Sequence, residues 1–260
     1  MRILIRTSKW AVWARRFGAL ALPLAVIPVL LHRARMISSE NFVIIELAAM
    51  ALAVLALVAA VVAFVRLWFT GDQGWARATL AFVFGLACLA PAAYFLWLAA
   101  VVPPSPDVST DYANTPPLTT FIDSRFIGPE ERSRIEDAYP NARSRTYPIE
   151  APQMFSVVQT LVDGLGWEIR AQRAPVGPLG EGQINAVVTT LLGFGQEAVV
   201  RVSGSADGAR VDMRSASLSP FPDYGENGQR VEAFLLELDN QVTLMLRNAP
   251  AQPQAADDED

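Results

Sequence analysis

Hydrophobic positions fall along the chain in two regimes. Up to Val102 they form long runs, and beyond it they recur every second or every third to fourth residue among polar neighbours. The runs cover residues 17–31, 42–65 and 78–102, and the last carries no charged side chain before Pro103-Pro104. The second and third are long enough for a helix to cross a hydrocarbon core of roughly 30 Å, whereas fifteen residues reach only about 22 Å. The first therefore predicts a short span whose flanking Arg15 and Arg33 snorkel to the borders. A cleaved signal peptide is the competing reading, but Pro23 and Pro28 break the run and His32-Arg33-Ala34-Arg35 is no small-residue cleavage site. Glu46, near the start of the second run, is either an intramembrane ion site or a headgroup contact, and the latter is preferred. Pro91 predicts a kink in the third span.

After this membrane region, residues 1–102, the pattern changes. Residues 103–120 hold five prolines and read as an extended tether without a regular element. Residues 121–248 predict a soluble α+β domain. A short charged helix is expected over 130–138, and a second over 152–165, where Phe155, Val158, Val162 and Leu165 share a stripe that ends at Gly166. Residues 167–172 alternate as a strand, and three more strands are expected over 183–190, 197–204 and 209–217. The last two are joined by the hairpin signal Ser205-Ala206-Asp207-Gly208. Residues 226–247 align Val231, Phe234, Leu238, Val242 and Met245 as one face of a long helix. The order predicts a four-stranded antiparallel meander with two helices packed on one face. Residues 249–260, ending Asp-Asp-Glu-Asp, read as a disordered acidic tail.

Charge sharpens the division. Residues 1–102 carry nine Arg and Lys against three Asp and Glu, and the remainder carries twelve against twenty-three. With three spans, the basic amino terminus and the Arg66/Arg77 loop share one side, which the positive-inside rule makes cytoplasmic and which sends the domain outward. If residues 17–31 lie in the interface instead, the same rule keeps the domain in the cytoplasm. The lack of any basic residue between Val102 and Arg125 favours three spans and a translocated domain. An acidic domain without clustered Lys or Arg argues against nucleic acid as a partner.

The chain has one His, His32, one Lys, Lys9, and one Cys, Cys88, all before Val102. The domain thus has no imidazole base, thiol nucleophile or Schiff-base amine of its own, and no cofactor or metal is expected in it. The glycines of 174–182 lead into a strand and lack Lys, so they are no phosphate loop. The paired acids of 130–138 read as a solvated helix face.

Several short sequences are recognisable together: Pro103-Pro104, Asp107, Ser109-Thr110-Asp111, Asn114 and Pro116-Pro117. Tyr147-Pro148, Gly166-Trp167, Arg201-Val202, Arg214-Ser215 and the Asp223, Gly225, Asn227, Arg230 run follow. Over roughly residues 103–246 the chain resembles an uncharacterised bacterial envelope family, the domain of unknown function fourteen-ninety-nine. It departs from that pattern at Pro106, where the family usually has His, and at Leu218, where a basic residue is usual. The resemblance implies membrane helices ahead of an envelope domain, and it implies no activity.

A meander brings the start of its first strand, the turn at 191–195 and the segment 219–224 to one end of the sheet. Trp167, Leu191, Leu192, Phe194, Phe221 and Tyr224 gather there and form a candidate ligand or partner surface, unless they fold back over the core. Asp223 and Asn227 are expected to cap the last helix. Arg214 and Arg230 are expected to pair with Asp223 or Asp212, or to hold an anion at that helix end. The expected function is non-catalytic: a multi-pass protein of the bacterial inner membrane whose periplasmic domain binds a lipid, another apolar ligand or an envelope protein. The alternatives are a carboxylate-based envelope enzyme, such as a glycan hydrolase, which would need two carboxylates facing one cleft, and a regulatory subunit of a membrane complex.

Overall fold

A computed structural model describes residues 6–120 and 127–248. The acidic tail expected over 249–260 lies outside the described residues. The chain divides into two compact units. One gathers the first three helices with the segments Thr189–Gly195 and Ser219–Tyr224, and the other holds the rest of the fold.

In the helical unit, α1 (Lys9–Arg33), α2 (Ser39–Thr70) and α3 (Trp75–Val101) are each long and apolar enough to cross a membrane. The fifteen-residue first span is corrected to a helix of 25 residues, about 37 Å long, because α1 continues back through Trp13 and Trp10. Pro23 and Pro28 lie inside it. Ser38 caps α2 by accepting from the Asn41 N–H, and Gly71 ends it with a φ of 69°. Where the three helices meet, the side chains are small. Ala11 packs with Ala63 and Ala78, Ala14 with Ala59, Ala60 and Ala81, and Ala21 with Ala53 and Cys88. Small residues let helix backbones approach closely, which is how helices attract one another where lipid removes the hydrophobic drive. The bulky side chains, including Trp68, Phe69 and Leu96, point outward.

The sheet unit contains one six-stranded sheet: β1 (Asp107–Ser109), β2 (Arg145–Tyr147), β3 (Glu168–Arg173), β4 (Glu181–Thr189), β5 (Gly195–Ser205) and β6 (Gly208–Ser217). The order is β1-β6-β5-β4-β3, and β2 also pairs with β6. The expected meander is therefore present as β3 to β6 but is incomplete. β1 and β2 lie in tandem along the outer edge of β6, opposite residues 214–216 and 209–211 respectively. Such three-residue strands have no alternation of their own to announce them, and they exist because they satisfy an edge that would otherwise be open. The hairpin turns at Ala206-Asp207 with Gly208 at a φ of 123°.

The three expected helices accompany the sheet, α4 (Pro129–Ala138), α5 (Ala151–Gly164) and α6 (Glu226–Asn248), and the short charged α4 joins the two that were expected to pack on the sheet face. Ile135 of α4, Met154, Val158 and Val162 of α5, and Val231, Phe234 and Leu238 of α6 share one core with Ile184, Ala186, Val200, Val202, Val211 and Met213. These strand residues alternate with polar ones that face the opposite side of the sheet. The acidic pairs of α4 lie on its surface: Glu136 is exposed and bonds Arg132 one turn back.

Residues 105–120 are not a free tether. After β1 they run over the polar side of the sheet as a strap: the Pro116 carbonyl accepts from Arg214, and the Pro117 carbonyl from Gln183 and Asn185. The proline content that suggested a loose spacer instead stiffens a segment held by its carbonyls.

Candidate functional site at the helix ends

Aromatic residues mark both ends of the helical unit, as they do at the borders of membrane-spanning helices. Trp75 and Trp97 stand 22 positions apart on α3, about 33 Å of helix, close to the thickness of a hydrocarbon core. The Ala11, Ala63 and Ala78 contact puts Trp10, Trp13 and Trp68 at the Trp75 end. The offset between α1 and α3 is the same at Ala11 beside Ala78 as at Ala21 beside Cys88. Carried on, it sets His32 two residues past the level of Trp97. By the matching α1–α2 register, Glu46 stands level with Pro28 and Phe95, inside the aromatic residues of that end, and its Oε1 is buried.

At this second border the two segments of the unit meet the helix ends. The His32 ring stacks on Phe42, with centroids 4.6 Å apart, and Phe194 presents an edge to both. Phe221 lies against Phe194, centroids 5.4 Å apart. His32 Nδ1 donates to the Leu192 carbonyl at 2.7 Å, leaving Nε2 to accept from the Ser39 hydroxyl at 3.0 Å. Arg33 donates to the Leu191 carbonyl at 2.7 Å. The turn closes on itself through Phe194 N–H donating to Thr190 Oγ1. Gly193 has a φ of 95°, and a Cβ there would stand 2.8 Å from His32 Nδ1, so the turn's approach requires glycine. Tyr224 packs on Phe95 of α3, centroids 5.0 Å apart.

The structure thus brings together five of the six apolar candidates. Leu191, Leu192, Phe194, Phe221 and Tyr224 belong to the helical unit. Trp167 does not join them: its ring stacks on Phe234 in the core of the sheet unit. The expectation that the whole group folds over the domain's own core therefore holds for Trp167 only. The partners that sequence reasoning missed are His32 and Phe42, and a lone His between two apolar runs was the available signal.

The polar candidates separate similarly. Asp223 is buried and falls in the helical unit. Arg214 pairs with neither Asp223 nor Asp212 but with Asp107, through two bonds of 2.8 and 2.5 Å. Arg230 donates to Ser215 Oγ at 3.0 Å. Asn227, fully buried, reaches beyond its own helix: its side chain accepts from Ser215 as well as from Arg230, and donates to the Ser105 and Pro106 carbonyls. It fixes the start of the strap.

The strap explains most of the remaining charge. Asp111 and Asp212 share Arg201, at 3.3 and 2.9 Å, and both also bond Arg210. The Ser144 hydroxyl donates to Asp212 Oδ1 at 2.5 Å. Glu197, 0% exposed, accepts from the Thr119 N–H and hydroxyl, the Thr120 N–H and Asn185. Burial alone would push the Glu197 carboxyl up, but these hydrogen bonds outweigh it and hold it below the ordinary range. Asp111 behaves likewise: burial raises it, and the Asn114 and Ala113 N–H groups with Arg210 and Arg201 bring it lower. Asp111 and Asp212 are two converging carboxylates, but they converge on guanidinium groups.

A family model described as "Protein of unknown function (DUF1499)" matches residues 105–238, just over half of the chain. The chain belongs to that family. No curated protein matches the sequence. The DUF1499 match begins at Ser105, the first residue of the sheet unit, and so includes the strap. The sequence features that carried the resemblance meet in its contacts: Asp107 with Arg214, Asp111 with Arg201, and Ser215 with Asn227. In this DUF1499 chain neither Pro106 nor Leu218, the two departures, disturbs those contacts.

Proposed function

We propose that the protein is a non-catalytic, multi-pass component of the bacterial inner membrane whose domain faces the periplasm and engages lipid at the membrane border through residues 191–194 and 221–224. The observation that carries this reading is the turn at 191–194. Phe194 is packed on His32 and Phe42 while Leu191 remains 73% exposed beside them. An apolar side chain held outward at the level of an aromatic girdle suits headgroups and glycerol better than water. Lipid is preferred to a soluble apolar ligand because the neighbouring aromatic side chains are occupied with one another. An envelope protein partner remains an outcome of the test.

The periplasmic assignment is supported by six basic residues among the described ones at the Trp75 end of the helices: Arg6, Lys9, Arg15, Arg16, Arg66 and Arg77. A carboxylate-based enzyme is disfavoured because Asp111 and Asp212 are each neutralised by Arg201 and Arg210.

Two measurements test the reading. Sidedness reporters fused after Gly71 and Thr120 are expected to report cytoplasm and periplasm respectively, and the reverse pattern would overturn the orientation. A bimane label on Leu191→Cys, in a Cys88→Ser background, is expected to be quenched by brominated lipid. Quenching by an added envelope extract but not by brominated lipid would point to a protein partner.

A further inference from the structure

Resting on the membrane-border reading above, we infer that Arg33 and Leu191 form a binding site for the phosphate diester of an anionic glycerophospholipid. Arg33 is the last residue of α1 and is exposed. The register of the helices sets it just past the Trp97 girdle, the depth at which lipid phosphates lie. Its orientation is fixed: Nη1 donates to the Leu191 carbonyl at 2.7 Å. A guanidinium presents five N–H donors in a planar fork, so one carbonyl leaves a face suited to bidentate phosphate. The same bond places the exposed Leu191 side chain next to that fork, so charge and apolar surface are paired as they are in a phospholipid.

The arrangement is built into the turn. A Cβ on Gly193 would stand 2.9 Å from the Arg33 backbone nitrogen, so the carbonyls of Leu191 and Leu192 reach the end of α1 only because the turn has glycine there. Nearby charge is mixed, with Arg35 in the same loop, Glu40 in the first turn of α2 and Asp223 buried in the 219–224 segment, so the anion would be held by the Arg33 fork itself. An arginine that merely snorkels has no such fixed partner. Arg16, at the opposite border, lies over the Trp13 ring.

Full-length protein purified in mild detergent with a defined mixture of phosphatidylglycerol and phosphatidylethanolamine tests the site, with retained lipid counted by native mass spectrometry. Arg33→Gln is expected to lower retained phosphatidylglycerol by about fivefold and Leu191→Asn by about twofold, with Arg33→Lys between wild type and Arg33→Gln. Arg77→Gln, at the other border, should retain as much as wild type. Equal retention by Arg33→Gln and wild type would overturn the site. So would displacement of the lipid by excess inorganic phosphate, which would mark a free-phosphate site instead. If the bimane at position 191 is quenched by brominated lipid while Arg33→Gln retains its lipid, the border reading stands and this inference falls. If the bimane is not quenched, the border reading falls first.

Discussion

The two units solve the problem of cohesion with opposite materials. The helical unit joins its helices mainly through alanines and Gly18 and Gly85, keeping most of its large side chains outward, with Leu67 an exception. The sheet unit buries large side chains such as Phe234, Met154 and Met213 on one face, and covers the other with a strap held by charge and hydrogen bonds. The difference follows from the solvent. In lipid an outward Leu loses nothing and close backbone contact is what attracts, while in water apolar area must be hidden and a polar face can be covered only by groups that satisfy it.

If that contrast is right, truncating a large side chain should damage the sheet unit most. Phe234→Ala removes a ring that stacks on Trp167 and is 2% exposed. It should cost about 3–5 kcal/mol, read as a lower midpoint in thermal unfolding of the full chain followed by hydrogen-exchange protection of β4 to β6.

Glu197→Gln tests the strap. The amide cannot accept from all the donors that meet the carboxylate and should cost roughly 1.5–3 kcal/mol, the worth of hydrogen bonds to a charged group. The pH dependence has a definite sign. The Glu197 and Asp111 carboxyls are held below their ordinary values in the folded protein. Their contribution is therefore complete above the unfolded values, about 4.3 and 3.9, and is lost as pH falls through the lower folded values. Hydrogen-exchange protection over residues 107–120, measured relative to the intrinsic rate at each pH, should fall in acid, and the Glu197→Gln variant should show a shallower pH dependence. Protection that does not change with acid in the wild type would argue against a strap held by carboxylates.

In the helical unit the damaging change is enlargement. A Cβ on Gly85 would already stand 2.8 Å from Leu57 Cγ and 3.1 Å from the Ala53 carbonyl oxygen. Gly85→Leu should cost about 1–3 kcal/mol as overpacking, seen as easier unfolding in detergent, while hydrogen-exchange protection of β4 to β6 stays unchanged. At the bottom of the scale, Arg132→Gln breaks an exposed pair with Glu136 on α4 and should leave the unfolding midpoint unchanged within error.

Much of the fold was legible because each element carries its own period. The strands expected over 183–190, 197–204 and 209–217 are β4, β5 and β6 within two residues at either end, and the helix expected over 226–247 is α6. Side-chain alternation and helical stripes are local properties, set by backbone geometry and by the need to hide one face. The apolar turn at 191–194 was legible as an anomaly, since four adjacent positions without a charge are unusual at a hairpin tip.

What touches that turn was not legible. His32 and Phe42 lie 162 and 152 positions from Phe194 in the chain, and no pattern near either residue names the other. The strap escaped for a related reason. Its prolines suit a free linker and a pinned one equally well, and what pins them are carbonyls, which every residue possesses. Arg214 was expected to choose between two aspartates and took a third, Asp107, because β1 lies directly beside β6.

By itself, then, the sequence determined the change of hydropathy at Val102, the three long apolar helices, the meander and the absence of His, Cys and Lys beyond Val102. Tertiary structure alone decided which carboxylate meets which guanidinium, that residues 105–120 cover a sheet, and that the turn closes on the end of α1. The first set depends on hydropathy and spacing, which the chain states residue by residue. The second depends on contacts between distant segments, where several partners are chemically equivalent and only geometry selects one.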